Sequence, residues 1–156
     1  MERFNFEVAG VYYYTENLIS VASKNSYFGK SDADIISHYE DGKRIYKYYF
    51  NRVVPELVPE PNNPHDRNAI MVTLNGKCIG HVPADLCVKV KSLMKKPYSI
   101  KVKVHGGPSK KVNGDDVLVN NYDFLVDVYI SVDDQKGIST KHKVLSRLID
   151  IAKRKK

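Results

Sequence analysis

The sequence has no tryptophan and only two cysteines, Cys78 and Cys87, among its 156 residues. Two cysteines outside a C-x-x-C pair do not make a disulfide framework, so we expect two free thiols in a reducing compartment. No apolar run approaches the roughly 20 residues of a membrane-spanning helix, and we expect no membrane partner. The first ten residues lack the basic and apolar regions of a signal peptide, so we expect a cytoplasmic location.

Acidic residues are absent from residues 86–114, a segment that carries eight lysines. A second basic tract, residues 136–156, holds eight basic residues and one aspartate and accounts for the whole formal net charge of +7. Clustered lysines attract polyanions and make their binding salt-dependent. The pattern therefore favours a nucleic-acid partner, with a merely solubilising surface as the alternative.

Length and composition predict one folded domain. The chain is 42% hydrophobic and 28% charged, which is ordinary for a globular protein. We expect this domain to span residues 1–135, with a helical insertion at about 15–43. Residues 136–156 are expected to form a basic amphipathic helix or tail.

Hydrophobic periodicity predicts a mainly β chain with α insertions, folded as a small curled antiparallel sheet or barrel. Strands are expected over 3–14, 44–58 (bent or broken near Pro55), 99–105 and 122–132. Helices are expected over 16–24, from a Ser31 cap to Gly42, over 83–96 and from Lys141. The strand over 99–105 alternates strictly and ends at Gly106-Gly107-Pro108, so Lys101, Lys103 and His105 would face solvent.

The most informative segment is residues 58–83, VPEPNNPHDRNAIMVTLNGKCIGHVP. Asn75-Gly76 lies between two apolar runs and predicts a β-hairpin with a type I′ turn. Ahead of the hairpin, prolines and asparagines predict a polar loop that contains His65, Asp66 and Arg67. A hydrogen-bonding loop on a rigid hairpin is a common way to build a binding site.

The same segment resembles the HIRAN domain, found at the N-terminus of helicase-like DNA-repair translocases and as free-standing bacterial and phage proteins. The resemblance covers about residues 4–131, with a long insertion between Tyr14 and Glu56. The matching motifs are Glu60 to Ile70 (EPNNPHDRNAI), Gly76, Ile79 to Pro83 (IGHVP) and, more weakly, Val8 to Val11 (VAGV).

This resemblance implies an OB-like β-barrel with two to four helices that captures the 3′ end of single-stranded DNA without catalysis or cofactor. Asp66 would accept a hydrogen bond from the 3′ hydroxyl, with Asn63 and His65 beside it in the turn. His81 would lie along the DNA backbone, and Tyr13 would stack on a base. The remaining candidate contacts are Tyr12, which stands where eukaryotic modules have an arginine, Arg67, Lys101 and Lys103.

Other interpretations of these residues stay open. Asp66 and Asn68 are also typical turn-capping residues, and the tyrosines could simply pack. A second hypothesis is a protein-interaction module that docks on a helicase or nuclease. A third is a metal-dependent nuclease or phosphoesterase, although no metal-ligand spacing supports one. Gly29-Lys30-Ser31 resembles the end of a phosphate-binding loop, but Lys24 stands where the required glycine would be.

Overall fold

The computed structural model describes residues 1–133, which form nine strands and three α-helices. The strands are β1 (Glu2–Glu7), β2 (Ser23–Lys24), β3 (Arg44–Tyr46), β4 (Tyr48–Tyr49), β5 (Pro55–Pro59), β6 (Ile70–Leu74), β7 (Lys77–His81), β8 (Tyr98–Asn113) and β9 (Asp116–Val132). The helices are α1 (Thr15–Ser20), α2 (Asp32–His38) and α3 (Cys87–Met94). The predicted helix from Lys141 and the basic tail lie outside the described residues.

The largest sheet has four antiparallel strands in the order β1-β9-β8-β3. Its centre is the long β8–β9 hairpin. The prediction that β8 ends at Gly106-Gly107 was wrong, because the strand continues through an irregularity to Asn113. Gly107 has a φ of 80°, and a Cβ atom there would lie 2.3 Å from a ring carbon of Phe124. The two glycines therefore let the ladder pass an aromatic ring rather than ending it.

A second sheet has three antiparallel strands in the order β5-β6-β7. The predicted hairpin between β6 and β7 is confirmed: Asn75 and Gly76 have φ values of 51° and 79°, as a type I′ turn requires. Ile70, Val72 and Ile79 from this hairpin are completely buried. They pack in the main core with the apolar face of the four-stranded sheet and with α1 and α3.

The prediction of a mainly β fold with α insertions and antiparallel sheets is confirmed, but the sheets do not close into the predicted OB-like barrel. Within residues 1–133, one isolated bridge, between Ala9 and His81, joins the segment after β1 to β7. A proline stands at each end of β5, Pro55 and Pro59, and proline has no N–H to donate to a further ladder. The three-stranded sheet therefore packs against the larger sheet without completing a cylinder of hydrogen bonds.

Strand lengths were overestimated in two places. The strand predicted over 3–14 ends at Glu7, because Gly10, with a φ of 76°, turns the chain into a 3-10 helix, Val11–Tyr14. The strand predicted over 44–58 is divided into β3, β4 and β5. Tyr12, Tyr13 and Tyr14 consequently lie on a helical turn and do not alternate between the faces of a strand.

The helix predictions were largely confirmed. The Ser31 hydroxyl accepts a hydrogen bond from the Asp34 amide at 3.2 Å and starts α2, although α2 ends at His38, before Gly42. The helix predicted over 83–96 is a 3-10 turn followed by α3. The helix predicted over 16–24 is the shorter α1. Among residues 1–133, none of the helices is long and apolar enough to cross a bilayer.

Candidate nucleic-acid interface

The loop between β5 and β6 is held by its own asparagine and aspartate side chains. Asn63 Oδ1 accepts hydrogen bonds from the amides of His65 (2.9 Å) and Asp66 (3.1 Å). Asp66 Oδ1 then accepts one from the Asn68 amide at 2.8 Å. We call this loop, residues 60–69, the acidic turn. Its local hydrogen bonds determine its shape.

Asp66 is half-buried in this turn and lines a polar cleft of about 720 Å³. The other lining residues are Pro61, Asn62, Asn63, Pro64, His65 and Arg67. The second carboxylate oxygen of Asp66 makes no hydrogen bond to any residue in the described part of the chain. Capping and ligand binding are thus compatible at Asp66, because the cap uses only one of its two oxygens.

Helix α3 contacts the acidic turn through a lysine side chain. Lys91 Nζ donates to the Arg67 carbonyl at 3.3 Å and to Asn68 Oδ1 at 3.1 Å. Cys87, at the start of the helix, also lies within electrostatic reach: burial and the nearby Asp66 carboxylate raise the pKa of its thiol. The turn is therefore fixed on a helix as well as on a hairpin.

The 3-10 helix after β1 exposes two adjacent tyrosines. Val11 is buried, whereas Tyr12 and Tyr13 are 73% and 84% exposed. Their rings meet edge to face with centroids 5.8 Å apart. A three-residue repeat places Val11 and Tyr14 on the inner side and leaves both other rings in solvent, where an aromatic ring gains most from a stacked base.

His81 joins the tyrosine turn to the acidic turn. Its ring lies 6.0 Å from the Tyr14 ring, and its Nε2 atom lies 2.7 Å from Glu60 Oε1. Its backbone pairs with Ala9 in both directions. The pKa of Tyr14 is raised by Cys78 first, then by burial and by Glu60. His81 thus connects the tyrosine turn with the acidic turn, and its contact with DNA stays a prediction.

Lys101 and Lys103 belong to another surface. Both are exposed on β8, as predicted, opposite Tyr129 and Asp127 of β9. Neither lysine lines the cleft of the acidic turn. His105, the third polar residue of that face, lies 3.0 Å from Asp127.

The hypothesis of a metal-dependent nuclease gains no support from the geometry. His81 and His105 contact separate carboxylates in different sheets. In residues 1–133, no three His, Cys, Asp or Glu side chains come together as metal ligands.

Sequence reasoning missed three residues that build the site: Glu60, Tyr14 and Lys91. Glu60 stands at the start of the conspicuous proline–asparagine segment, and Tyr14 belongs to the tyrosine run, so both were within reach of the pattern. Lys91 had no such signal, since it is one of eight lysines in a segment without acids.

A match to a family model shows the family to which this chain belongs. The HIRAN domain family model matches residues 1–133. Among solved structures, the crystal structure of the HIRAN domain of human HLTF matches with 16% sequence identity over 84% of this chain and 77% of that one, at a TM-score of 0.31. A search of curated proteins finds no match. Because the family model spans most of the sequence, the chain belongs to the HIRAN family, a family of nucleic-acid-binding domains in DNA-repair proteins.

Proposed function

We propose that this domain is a non-catalytic module that holds the 3′ end of single-stranded DNA. One observation carries the proposal: Asp66 lines an open polar cleft with one carboxylate oxygen engaged by the turn and the other without a partner among residues 1–133. An ionised carboxylate only accepts hydrogen bonds. It therefore suits a terminal hydroxyl group and repels a terminal phosphate.

The exposed tyrosines supply the second part of the proposal. Tyr12 and Tyr13 offer ring faces to solvent, and His81 connects their helix to the acidic turn through Tyr14 and Glu60. A base stacked on an aromatic side chain contributes about 1–3 kcal/mol. In this arrangement the rings bind the last bases, whereas Asp66 distinguishes the chemistry of the terminus.

The test compares oligonucleotides that differ only at the 3′ end. We expect a 3′-hydroxyl strand to bind more tightly than its 3′-phosphate form at fixed salt, measured by fluorescence anisotropy. A hydrogen bond to a charged group contributes about 1.5–3 kcal/mol, so the preference should be roughly tenfold to a hundredfold. Equal affinities would exclude end recognition.

Asp66→Asn should abolish that preference, because the amide no longer repels the terminal phosphate. Asp116→Asn is a matched control, since Asp116 is an exposed carboxylate at the start of β9, far along the chain from the acidic turn. The control should keep the full preference for the hydroxyl end. If both variants lose it equally, the effect reflects net charge and not Asp66.

A second candidate function, docking on a helicase or nuclease, is favoured by exposed aliphatic residues near the tip of the β8–β9 hairpin. Leu118 and Val119 are 46% and 61% exposed, and as neighbours in β9 they present one aliphatic side chain on each face of the hairpin. Exposed aliphatic residues of this kind are candidates for protein contact. Leu118→Ser should then reduce recovery of a partner enzyme in a pull-down and leave DNA affinity unchanged. Unchanged recovery would count against docking through the Leu118 face of the hairpin tip.

A further inference from the structure

A second cleft, of about 740 Å³, lies between the inserted segment and one edge of β8. Its walls are formed by Tyr46, Tyr48, Tyr49, Phe50 and Asn51 on one side and by residues 102–106 on the other. We call it the tyrosine cleft. Among residues 1–133, none of those that line the cleft is acidic, and Lys103 supplies a positive charge. The adjacent Asp127 lies opposite Lys103 on β9 and contacts His105 at 3.0 Å. Four aromatic rings beside an exposed lysine resemble the surfaces that bind single-stranded nucleic acid.

The cleft exists because β3 leaves β8 early. The two strands pair only between Arg44–Tyr46 and residues 109–111, and the Lys47 amide donates to the Pro108 carbonyl at 2.9 Å as a last contact. On the N-terminal side of Pro108, no strand among residues 1–133 pairs with this edge of β8.

Backbone polar groups of β8 consequently face the cleft edge. The Val126 carbonyl accepts a hydrogen bond from the Val8 amide, so the backbone N–H and C=O groups of Val126 point towards β1. Those of its neighbour Asp127 point towards β8. Asp127 is paired with Lys103. Successive residues of an antiparallel strand direct their backbone N–H and C=O groups to alternate edges. Those of Lys103 point towards β9, so those of Val102 and Val104 point to the other edge of β8, where they are available to a ligand.

The ring wall is held in place before any ligand arrives. Asn25 Nδ2 donates to the Tyr49 hydroxyl at 2.8 Å and to the Tyr46 carbonyl at 3.0 Å. Tyr49 also pairs with Ser23 across β2 and β4. The Tyr46 and Tyr49 side chains are nevertheless 38% and 45% exposed. Rings that are fixed and still accessible lose little conformational freedom when a base stacks on them.

A path connects the tyrosine cleft to the exposed tyrosine pair. Tyr12 lines one small cleft with Tyr13 and another, of about 250 Å³, with Tyr48. Tyr48 in turn lines the tyrosine cleft. Glu16 and Asp123 are the acidic residues along this path, and the tyrosine cleft at its end is free of them.

We propose that the tyrosine cleft binds the part of the same DNA strand that lies on the 5′ side of the captured end. A base stacks on Tyr49, Lys103 contacts a phosphate, and the free groups of Val102 and Val104 offer hydrogen bonds to the base edges. This inference rests on the proposed function, because it extends the same strand. An extended peptide would also suit an open strand edge, but the exposed aromatic rings beside Lys103 and the continuity with Tyr12 favour DNA.

The test uses 3′-hydroxyl oligothymidines of about 4 and about 12 nucleotides at one salt concentration. Wild-type protein should bind the longer strand more tightly. Tyr49→Ala should weaken binding of the longer strand about fivefold to a hundredfold, the effect of losing one stacked base, and leave the shorter strand unchanged. Tyr98→Ala, which removes a partly exposed tyrosine outside the cleft, should change neither.

Tyr49→Phe keeps the ring and loses only the hydroxyl that Asn25 holds, so its loss of affinity for the longer strand should be much smaller than that of Tyr49→Ala. This difference separates stacking from a folding defect. An independent readout is photocrosslinking from 5-iodouracil, which should reach Tyr49 from an interior position of the longer strand and not from its terminal base. A Tyr49→Ala protein that binds both lengths normally, as it would if the cleft held a peptide, overturns the proposal. End recognition is scored on the shorter strand alone, so the two proposals fail in different measurements.

Discussion

His81 Nε2 lies 2.7 Å from Glu60 Oε1, and this contact fastens the first residue of the acidic turn to the last residue of β7. The same imidazole contacts the Tyr14 ring. Two segments that are far apart in sequence are thereby held by one side chain.

Replacing Glu60 tests this contact. Glu60→Ala removes the acceptor of His81, so the acidic turn should shift relative to the tyrosines and DNA affinity should fall severalfold. Glu60→Gln keeps an acceptor and removes a negative charge, so its affinity should equal or exceed that of wild type. Both side chains are about one-third exposed, so the free energy of unfolding should fall by less than about 1 kcal/mol in either variant. Equal loss of affinity in the two variants would contradict the positioning role.

Gly80 is required by close backbone packing. A Cβ atom at this position would lie 2.5 Å from the Ala9 carbonyl oxygen, and the residue has a φ of 150°. Gly80→Ala should therefore lower the free energy of unfolding by more than about 3 kcal/mol, measured by chemical denaturation. Gly114→Ala is the matched control: Gly114 also has a positive φ, 61°, but nothing lies near its Cβ position, so the loss should be only about 1 kcal/mol.

Gly76 and Gly10 illustrate what a sequence pattern can and cannot reveal. Asn75-Gly76 predicted its hairpin correctly, because the signal is local and the turn needs no other part of the chain. The chain also changes direction at Gly10, but Gly10 lies within an alternation of apolar and polar residues that continues to Tyr14. The strand prediction over 3–14 followed that alternation, and a strand would direct Tyr12 and Tyr13 to opposite faces. On the observed 3-10 helix both side chains are exposed.

The site residues divide in the same way. Asn63, Asp66 and Arg67 come together because a single loop contains them, and the sequence was sufficient to predict that loop. Lys101 and Lys103 were grouped with them by charge alone, whereas the sheet order places these lysines on another surface. The closed barrel was wrong for a similar reason: whether two sheet edges pair depends on long-range register, which no local pattern encodes.

Tyr13 offers a prediction in which affinity and stability separate. Its side chain is 84% exposed, so Tyr13→Ala should leave the free energy of unfolding within about 0.5 kcal/mol of wild type. Loss of a stacked base should weaken single-stranded DNA binding by about 1–3 kcal/mol in anisotropy titrations. Val88→Ala, also at an exposed apolar residue, should change neither quantity. Normal DNA binding by Tyr13→Ala would remove Tyr13 from the interface.

Because the Cys87 thiol is buried, we expect the protein to lose stability at alkaline pH. Burial, and secondarily Asp66, raise the pKa of this thiol above its usual 9.0 in the folded protein. A pKa that is higher in the folded than in the unfolded state contributes stability at pH values below the unfolded-state pKa. This contribution is lost as the pH rises through the folded-state pKa. The free energy of unfolding should therefore fall above about pH 9. Cys87→Ala should flatten this alkaline slope in denaturation series, and a slope equal to that of wild type would contradict the role of this thiol.

Salt dependence tests whether Arg67 contacts the DNA backbone. Arg67 is exposed beside Asp66, and its guanidinium makes no ion pair within residues 1–133. Each phosphate contact to single-stranded DNA adds about −0.7 to the slope of log affinity against log salt. Arg67→Ala should therefore make that slope shallower by about 0.7 and keep the preference for a 3′ hydroxyl. Lys95→Ala removes an exposed cation at the end of α3 and should leave the slope unchanged. An identical slope for wild type and Arg67→Ala would mean that Arg67 faces solvent in the complex.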